Sequence, residues 1–218
     1  MLGSGRVKRI LAMALPRKWL VMRGHVKSKV IALTFDDGPH PQYTAEALDL
    51  LKQHGMKATF FFVGMNVMRY PELVRRVVEE GHQLGNHSYS HDEFSRSRLT
   101  QQLAEIDKAD EVLARFDGHK RHPFRPPRGQ LPVPLLAALV WRRQLVAMWS
   151  YDSLDYQDGG ARSVLRRFEG QPLHHGDVVL MHDDNAETLS ALRQLLPDWK
   201  GQGWVGVPLS GLGVESRP

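Results

Sequence analysis

The sequence contains no cysteine. Disulfide bonds and thiolate metal sites are therefore excluded, and any bound metal must be held by histidines and carboxylates. Long apolar runs are also missing, since none approaches the ~20 residues that a membrane-spanning helix needs. The short apolar run at residues 10–15 is followed by Pro16, Arg17 and Lys18 rather than by small residues, so it does not look like a cleavable secretory signal.

Acidic residues are missing from one part of the chain only. The first 29 residues carry eight basic side chains and no acidic one, whereas the whole chain has 29 basic and 24 acidic residues and a formal charge of +5. The body is therefore mildly acidic, which argues against a nucleic-acid-binding domain with a broad basic face. We predict a basic N-terminal arm over residues 1–28, one domain over residues 29–218 and no nucleic-acid partner.

The arm contains two apolar patches, at residues 10–15 and 19–22. Apolar residues among basic ones are typical of segments that lie on an anionic membrane surface. The alternative is an arm that packs on the body of the protein or is partly disordered. Because no convincing signal peptide is present, the expected location is the cytoplasm, with membrane association depending on this arm.

From residue 29 onward, short apolar runs alternate with amphipathic stretches. Strands are predicted at residues 30–35, 58–63, 83–86, 123–125, 145–151, 177–182 and 204–209, the fourth being weak. Helices are predicted at residues 44–54, 71–80, 99–116, 133–143, 162–168 and 188–199, with Gly55 and Gly81 as left-handed caps. This alternation predicts an α/β fold with a parallel sheet, either a barrel of about seven strands or an open doubly wound sheet.

Polar clusters follow most of the predicted strands. In parallel α/β folds the functional site lies beyond the carboxyl ends of the strands. Five clusters are therefore expected to meet on one rim: residues 36–37, 87–91, 125–129, 152–155 and 182.

The spacing of His87 and His91 by four predicts two imidazoles on one side of a helical turn. Two histidines alone are weak support for a metal site, but Asp37 would complete a tripodal site with open positions, as in catalytic zinc centres. Asp36 could then stay ionised and act as a base, because a metal lowers the pKa of bound water towards ~7. Taken alone, this pair of aspartates is more typical of a helix cap or a turn than of a catalytic site.

The remaining clusters offer partners for this chemistry. Arg125 is expected to pair with Asp36 and orient it. His182, at the end of an apolar strand, is a candidate general acid, and either Asp152 or Asp155 could orient it. Aromatic residues near these positions would line a sugar-binding groove or pack in the core: Trp149, Tyr151 and Tyr156.

Five ordered motifs resemble those of the polysaccharide deacetylase family, also described as the NodB homology domain and carbohydrate esterase family 4. They are TFDDGP (34–39), HSYSH (87–91), RPPRG (125–129), DSLDY (152–156) and LMH (180–182). The resemblance extends from about residue 29 to residue 209, which is most of the chain.

The resemblance implies a deformed (β/α) barrel that removes N-linked acetyl groups from an N-acetyl-amino sugar of a polysaccharide, oligosaccharide or glycan precursor. Its motifs make Asp37, His87 and His91 the ligands of a divalent metal, with zinc the first expectation and cobalt, nickel or manganese the alternatives. O-acetyl ester hydrolysis, for example on xylan, and a non-catalytic glycan-binding barrel are the alternative functions.

The resemblance also implies roles for the other motif residues. Asp36 would be the base, His182 the acid, Arg125 the tether of Asp36 and Asp155 the support of His182. The backbone N–H of Arg128 would stabilise the oxyanion, as acyl transfer requires. Further substrate-binding positions would be Pro127, Trp149, Tyr156 and Leu180.

Two positions differ from the common family pattern. Tyr156 stands where tryptophan is usual, and Arg128 stands where an aromatic residue is common. Both belong to the substrate side of the site, so the sequence does not single out chitin or peptidoglycan. Arg128 predicts a preference for an anionic sugar or a phosphate-bearing acceptor.

Overall fold

The computed structural model describes residue 16 and residues 18–213. Most of the predicted basic arm, including its apolar patch at residues 10–15 and the membrane contact expected there, lies outside the described residues. Within the described part of the chain, the helices lack the combination of length and apolarity that crossing a lipid bilayer requires.

The strands are short and their ladders are parallel. They are β1 (Leu20–Val21), β2 (Val30–Asp36), β3 (Thr59–Phe62), β4 (Gln83–Asn86), β5 (Val146–Ala147), β6 (Tyr151–Asp152), β7 (Val178–His182) and β8 (Val205–Val207). The ladders run β4-β3-β2-β7-β6, with β8 on β2, while β1 pairs with β5. Isolated bridges from Phe124 to Asn86 and to Val146 connect β4 with β5. Among the described residues no ladder joins β6 to β1 or β5, so this deformed barrel is not closed by strand pairing on that side. The predicted α/β class with parallel strands is confirmed.

The helices follow strands β2, β3, β4, β6 and β7, with two helices each after β3 and β4. They are α1 (Tyr43–His54), α2 (Gly64–Arg69), α3 (Pro71–Glu79), α4 (Leu99–Asp117), α5 (Val133–Trp141), α6 (Gly160–Gly170) and α7 (Ala186–Gly201). Gly55 caps α1 with φ 68°, and Gly81 has φ 76° just beyond α3, so both predicted left-handed positions are confirmed. The six-residue helix α2 was not predicted, because its single turn and a half is too short to show a periodic pattern.

Two of the predicted strands differ from the observed ones. The stretch at 145–151 is divided into β5 and β6, and the stretch at 123–125 forms only the isolated bridges of Phe124. The division is explained by a side chain from elsewhere in the sequence. The carbonyls of Ala147 and Met148 accept hydrogen bonds from the Arg125 side chain, at 3.2 and 3.1 Å, in place of a neighbouring strand.

The two faces of β2 have different environments. Ile31, Leu33 and Phe35 pack in the main core between the sheet and the helices. Ala32, on the opposite face, belongs to a smaller cluster with Phe61 and other buried residues. Since side chains alternate along a strand, Thr34 and Asp36 continue the face of Ala32, and the inner face becomes polar at the carboxyl end of the strand.

The apolar patch at residues 19–22 packs on the body. Leu20 and Val21 are buried, and they pair with Val146 and Ala147 of β5. Of the two alternatives for this patch, packing on the body is therefore the one observed.

Candidate active site

Asp36 is the last residue of β2 and is 3% exposed. Its Oδ1 accepts a hydrogen bond of 2.7 Å from Nη1 of Arg125, which is fully buried. The same nitrogen donates to Thr34 Oγ1 at 2.8 Å, and the guanidinium lies over the Phe61 ring at 4.1 Å. Burial lowers the pKa of Arg125, whereas the charge of Asp36 and its hydrogen bond oppose that effect. The predicted pairing of these two residues is therefore present, with the arginine held on several sides.

Asp37, His87 and His91 converge beside this pair. Asp37 Oδ1 lies 3.3 Å from His87 Nε2 and 3.1 Å from His91 Nε2. One potential ligand atom from each residue lies within 4.8 Å of the other two. Burial raises the pKa of Asp37, but the two imidazoles beside its carboxylate outweigh it and hold the pKa far below its ordinary value.

The ligand atoms are well oriented for a metal. His87 Nδ1 lies 2.8 Å from the backbone carbonyl of Arg125 and donates to it, which leaves Nε2 free to face Asp37. Asp37 Oδ1 is buried without a hydrogen-bond partner, as an atom that awaits a cation would be. Two imidazole nitrogens and a carboxylate fit a divalent ion such as zinc.

The prediction that a helical turn brings His87 and His91 together is wrong. The segment from 87 to 91 is not helical, and Ser88 and His91 have φ values of 67° and 60°. Ser88 Oγ accepts a hydrogen bond of 3.0 Å from the backbone N–H of His91. Two left-handed residues and a local hydrogen bond therefore replace the helical periodicity that was expected.

His182 ends β7 and pairs with Asp155. Its Nδ1 lies 2.8 Å from Asp155 Oδ1, and its backbone N–H donates to Asp155 Oδ2 at 2.7 Å. Thr188 Oγ1, from α7, donates to the same carboxylate. His182 Nε2 points towards the cluster of Asp37, His87 and His91, 3.9 Å from Asp37 Oδ2. Burial lowers the pKa of His182, but Asp155 and, more weakly, Asp36 and Asp37 raise it to about 9.

The structure distinguishes Asp152 from Asp155, which residue spacing alone left open, and it agrees with the family resemblance, which implied Asp155. Asp155 is 5% exposed and holds His182. Asp152 instead accepts hydrogen bonds from the Leu154 N–H, at 3.1 Å, and from the Tyr156 hydroxyl, at 3.2 Å. Asp152 therefore shapes the turn that carries Asp155.

The predicted substrate-binding residues lie at different depths. Tyr156 is 56% exposed and its ring is perpendicular to that of His182, with centroids 5.6 Å apart. Arg128 is exposed, in a left-handed conformation with φ 53°, and Pro127 next to it is buried. Trp149 is half-buried with its ring 5.8 Å from the Arg125 guanidinium, and Leu180 is buried in β7, two residues before His182.

Tyr156 and Arg128 thus reach the rim of the site, while Pro127, Trp149 and Leu180 lie beneath it.

A buried carboxyl that was not predicted supports the turn after Asp37. Asp183 is fully buried, and it accepts hydrogen bonds from the Gly38 N–H, at 3.1 Å, and from the Thr44 hydroxyl. A Cβ on Gly38 would come within 2.4 Å of its carboxylate, so this position requires glycine. Burial raises the pKa of Asp183 to about 8. A histidine followed by two aspartates gives no sequence signal for this role.

A groove of about 420 Å³ opens beside His182 and Asp37. Exposed acidic residues extend its lining away from the site: Asp158, Asp184 and Glu187. The groove therefore gives access from the surface to Asp37 and to the His182–Asp155 pair.

Residues 23–140 match the family model for polysaccharide deacetylase. The chain belongs to this family. A peptidoglycan-N-acetylglucosamine deacetylase of Bacillus cereus is 36% identical over 90% of the chain and 96% of the relative. The peptidoglycan-N-acetylmuramic acid deacetylase PdaC of Bacillus subtilis is 34% identical over 84% of the chain but only 38% of its own length.

The fold agrees with this membership. The crystal structure of the Bc1960 peptidoglycan N-acetylglucosamine deacetylase, in complex with 4-naphthalen-1-yl-N-oxidanyl-benzamide, superposes with a TM-score of 0.85 at 31% identity. The match covers 92% of this chain and 95% of that one. The protein is accordingly a carbohydrate deacetylase of the hydrolase class, as its motifs predicted.

Proposed function

We propose that the protein is a metal-dependent hydrolase that removes N-linked acetyl groups from N-acetyl-amino sugars of a glycan. One observation carries the proposal: the Asp36–Arg125 pair and the His182–Asp155 pair both lie next to the cluster of Asp37, His87 and His91. Asp36 Oδ2 is 3.8 Å from His87 Nε2, and His182 Nε2 is 3.9 Å from Asp37 Oδ2. Acetamide hydrolysis needs a base for water, a site for the carbonyl oxygen and an acid for the nitrogen. Asp36 would be the base, the cluster of Asp37, His87 and His91 would provide the site for the carbonyl oxygen, and His182 would be the acid.

Asp37, His87 and His91 would hold the divalent metal, with zinc the first choice for this donor set and cobalt, nickel or manganese also compatible. When bound, the metal would supply Lewis-acid polarisation of the carbonyl and a lowered pKa of water. The unpartnered Oδ1 of Asp37 and the fixed tautomer of His87 support this assignment.

Asp36 would accept a proton from the attacking water as its oxygen forms a bond to the acetyl carbon. Arg125 would hold Asp36 in position through the 2.7 Å hydrogen bond, and the same contact compensates the buried negative charge. The backbone N–H of Arg128 would donate to the oxyanion.

His182 would protonate the nitrogen as the carbon–nitrogen bond breaks, which yields acetate and a free amino sugar. Its Nδ1 is bound to Asp155, so the proton to be transferred is on Nε2, the atom that faces the cluster. Asp155 therefore fixes both the orientation and the charge of the acid.

The first substrate to examine is peptidoglycan with N-acetylglucosamine, because relatives that match over most of their own length bear that name. Arg128, exposed at the rim, is suited to an anionic group next to the reacting sugar, such as a carboxylate of a peptide or lactyl substituent. Residence in the cytoplasm stays a prediction from the sequence.

The test is acetate release by purified protein that has been stripped of metal and resupplied with zinc or cobalt. The substrates are N-acetylglucosamine oligomers, peptidoglycan fragments, a nucleotide-linked N-acetyl sugar and acetylated xylan. We expect metal-dependent release from an N-acetylated member. Release from xylan alone would make the protein an O-acetyl esterase, and metal binding with silence across the panel would contradict the proposal.

A further inference from the structure

Helix α4 lies behind the segment that carries the two histidines, and three of its side chains contact that segment. Asp110 Oδ1 accepts a hydrogen bond of 2.8 Å from Asn86 Nδ2, at the start of the segment. Glu105 Oε2 accepts two hydrogen bonds of 2.7 Å near its end, from the N–H and the hydroxyl of Ser90. Between them, Lys108 Nζ lies 3.6 Å from the centre of the Tyr89 ring.

The contact at Asn86 is transmitted to the histidines. Asn86 is fully buried, and its Oδ1 accepts a hydrogen bond of 2.9 Å from the N–H of Ser88. Ser88 Oγ in turn accepts from the N–H of His91. The backbone carbonyl of Asn86 accepts from the N–H of Arg125, whose own carbonyl holds His87 Nδ1. Asn86 thus connects α4 with both histidines.

Asp110 is itself fixed by buried partners. His122 donates to its Oδ1 from Nδ1, at 3.0 Å, and from the backbone N–H, at 3.2 Å. Gln144 Nε2 donates to its Oδ2 at 2.9 Å. All of these residues are at most 4% exposed. A carboxylate that is fully hydrogen-bonded in a dry environment has one position, so the side chain of Asn86 also has one position.

We propose that Asp110 and Glu105 are positioning residues of the metal site, which hold the two ends of the 86–91 segment and thereby set the affinity of His87 and His91 for the divalent ion. The segment needs such support, because the left-handed conformations of Ser88 and His91 are unfavourable for residues with side chains. Outer partners of metal ligands typically contribute about 10–100-fold to metal affinity. The inference rests on the ligand assignment of the proposed function.

The experiment measures the dissociation constants of zinc and cobalt for the full chain and for the variants Asp110→Asn and Glu105→Gln. Each variant keeps the size of the side chain and removes its charge. Glu111→Gln is the control for Glu105→Gln, since Glu111 is an exposed residue of the same helix. Asp177→Asn is the control for Asp110→Asn, because Asp177 is also fully buried and accepts from Ser150 and Arg23 at the opposite end of β7.

We expect about a ten-fold or larger rise in the metal dissociation constant for each positioning variant, an altered Co(II) absorption spectrum and recovery of most of kcat at saturating metal. The controls should bind metal as the wild type does, even where their melting temperatures fall. Unchanged affinity in both positioning variants would overturn the inference. If Asp110→Asn does not fold, Glu105→Gln decides, since Glu105 is only partly buried. A wild-type protein that binds no metal would instead overturn the proposed function.

Discussion

Replacing Asp155 by asparagine tests how His182 is made into an acid. The carboxylate accepts hydrogen bonds from His182 Nδ1, from the His182 backbone N–H and from the Thr188 hydroxyl. An amide has only one acceptor oxygen, so one of the two His182 donors must face an NH₂ group. The imidazole then loses its fixed tautomer and part of its positive charge.

The size of the effect follows from these contacts. General acid catalysis contributes about 10²–10⁴-fold to a rate, so kcat of Asp155→Asn should fall by that order. The pKa of His182 is raised from 6.5 to about 9, which corresponds to about 3 kcal/mol, with Asp155 the largest of the carboxylates that raise it. His182 must be protonated to act as the acid, so its raised pKa extends the activity of the wild type towards alkaline pH. In Asp155→Asn the alkaline limit of activity should lie lower than in the wild type by roughly one pH unit or more.

The assay is a pH–rate profile of acetate release at equal metal saturation, with Asp152→Asn as the matched control. Asp152 stands three residues earlier but binds Leu154 and Tyr156 rather than His182. We expect the control to retain most of kcat and an unchanged alkaline limit. Equal losses in the two variants, or an unchanged alkaline limit in Asp155→Asn, would refute the assignment of Asp155 as the partner of the acid.

Three further predictions concern the base, the rim and stability. In metal titrations and acetate-release assays, Asp36→Asn should still bind metal but lose nearly all turnover. His87→Ala should lose metal binding and turnover together, and full metal binding by this variant would overturn the ligand assignment. Arg128→Tyr should lower the preference for anionic over neutral substrates, measured as the ratio of the two kcat/KM values. An unchanged ratio would show that Arg128 does not select anionic substrates. Although burial lowers the pKa of His122, Asp110 and Asp117 raise it to about 9, so its stabilising charge is fully present below pH ~6.5 and is lost as pH rises through ~9. In urea unfolding, the difference in unfolding free energy between the wild type and His122→Gln should therefore shrink by ~3 kcal/mol between pH 6 and pH 10. A difference that stays the same at the two pH values would contradict this prediction.

Much of the fold could be predicted because apolar strands and glycine caps are local signals. The near-continuous apolar run that includes β3 predicts a strand covered on both faces, and Phe60 to Phe62 are indeed fully buried. The division of the stretch at 145–151 could not be predicted, since it depends on Arg125, a side chain from a distant part of the sequence.

The site shows the same boundary between local and distant signals. The positions of Asp36, Asp37 and His182 follow from the rule that strands end at the functional rim. The approach of His87 to His91 depends on the positive φ values of Ser88 and His91. In a sequence, only glycine indicates such a conformation. The role of Asp155 depends on how a turn and α7 pack around His182, and residue spacing alone does not contain that information.

The central claim is tested most directly by titrating zinc into stripped wild-type protein while following acetate release from an N-acetylglucosamine oligomer or peptidoglycan fragment. We predict that activity is absent at the start, rises with zinc and levels off at one equivalent per chain. Full activity in the stripped protein would contradict the account, and so would one equivalent of bound zinc with no acetate released from either substrate.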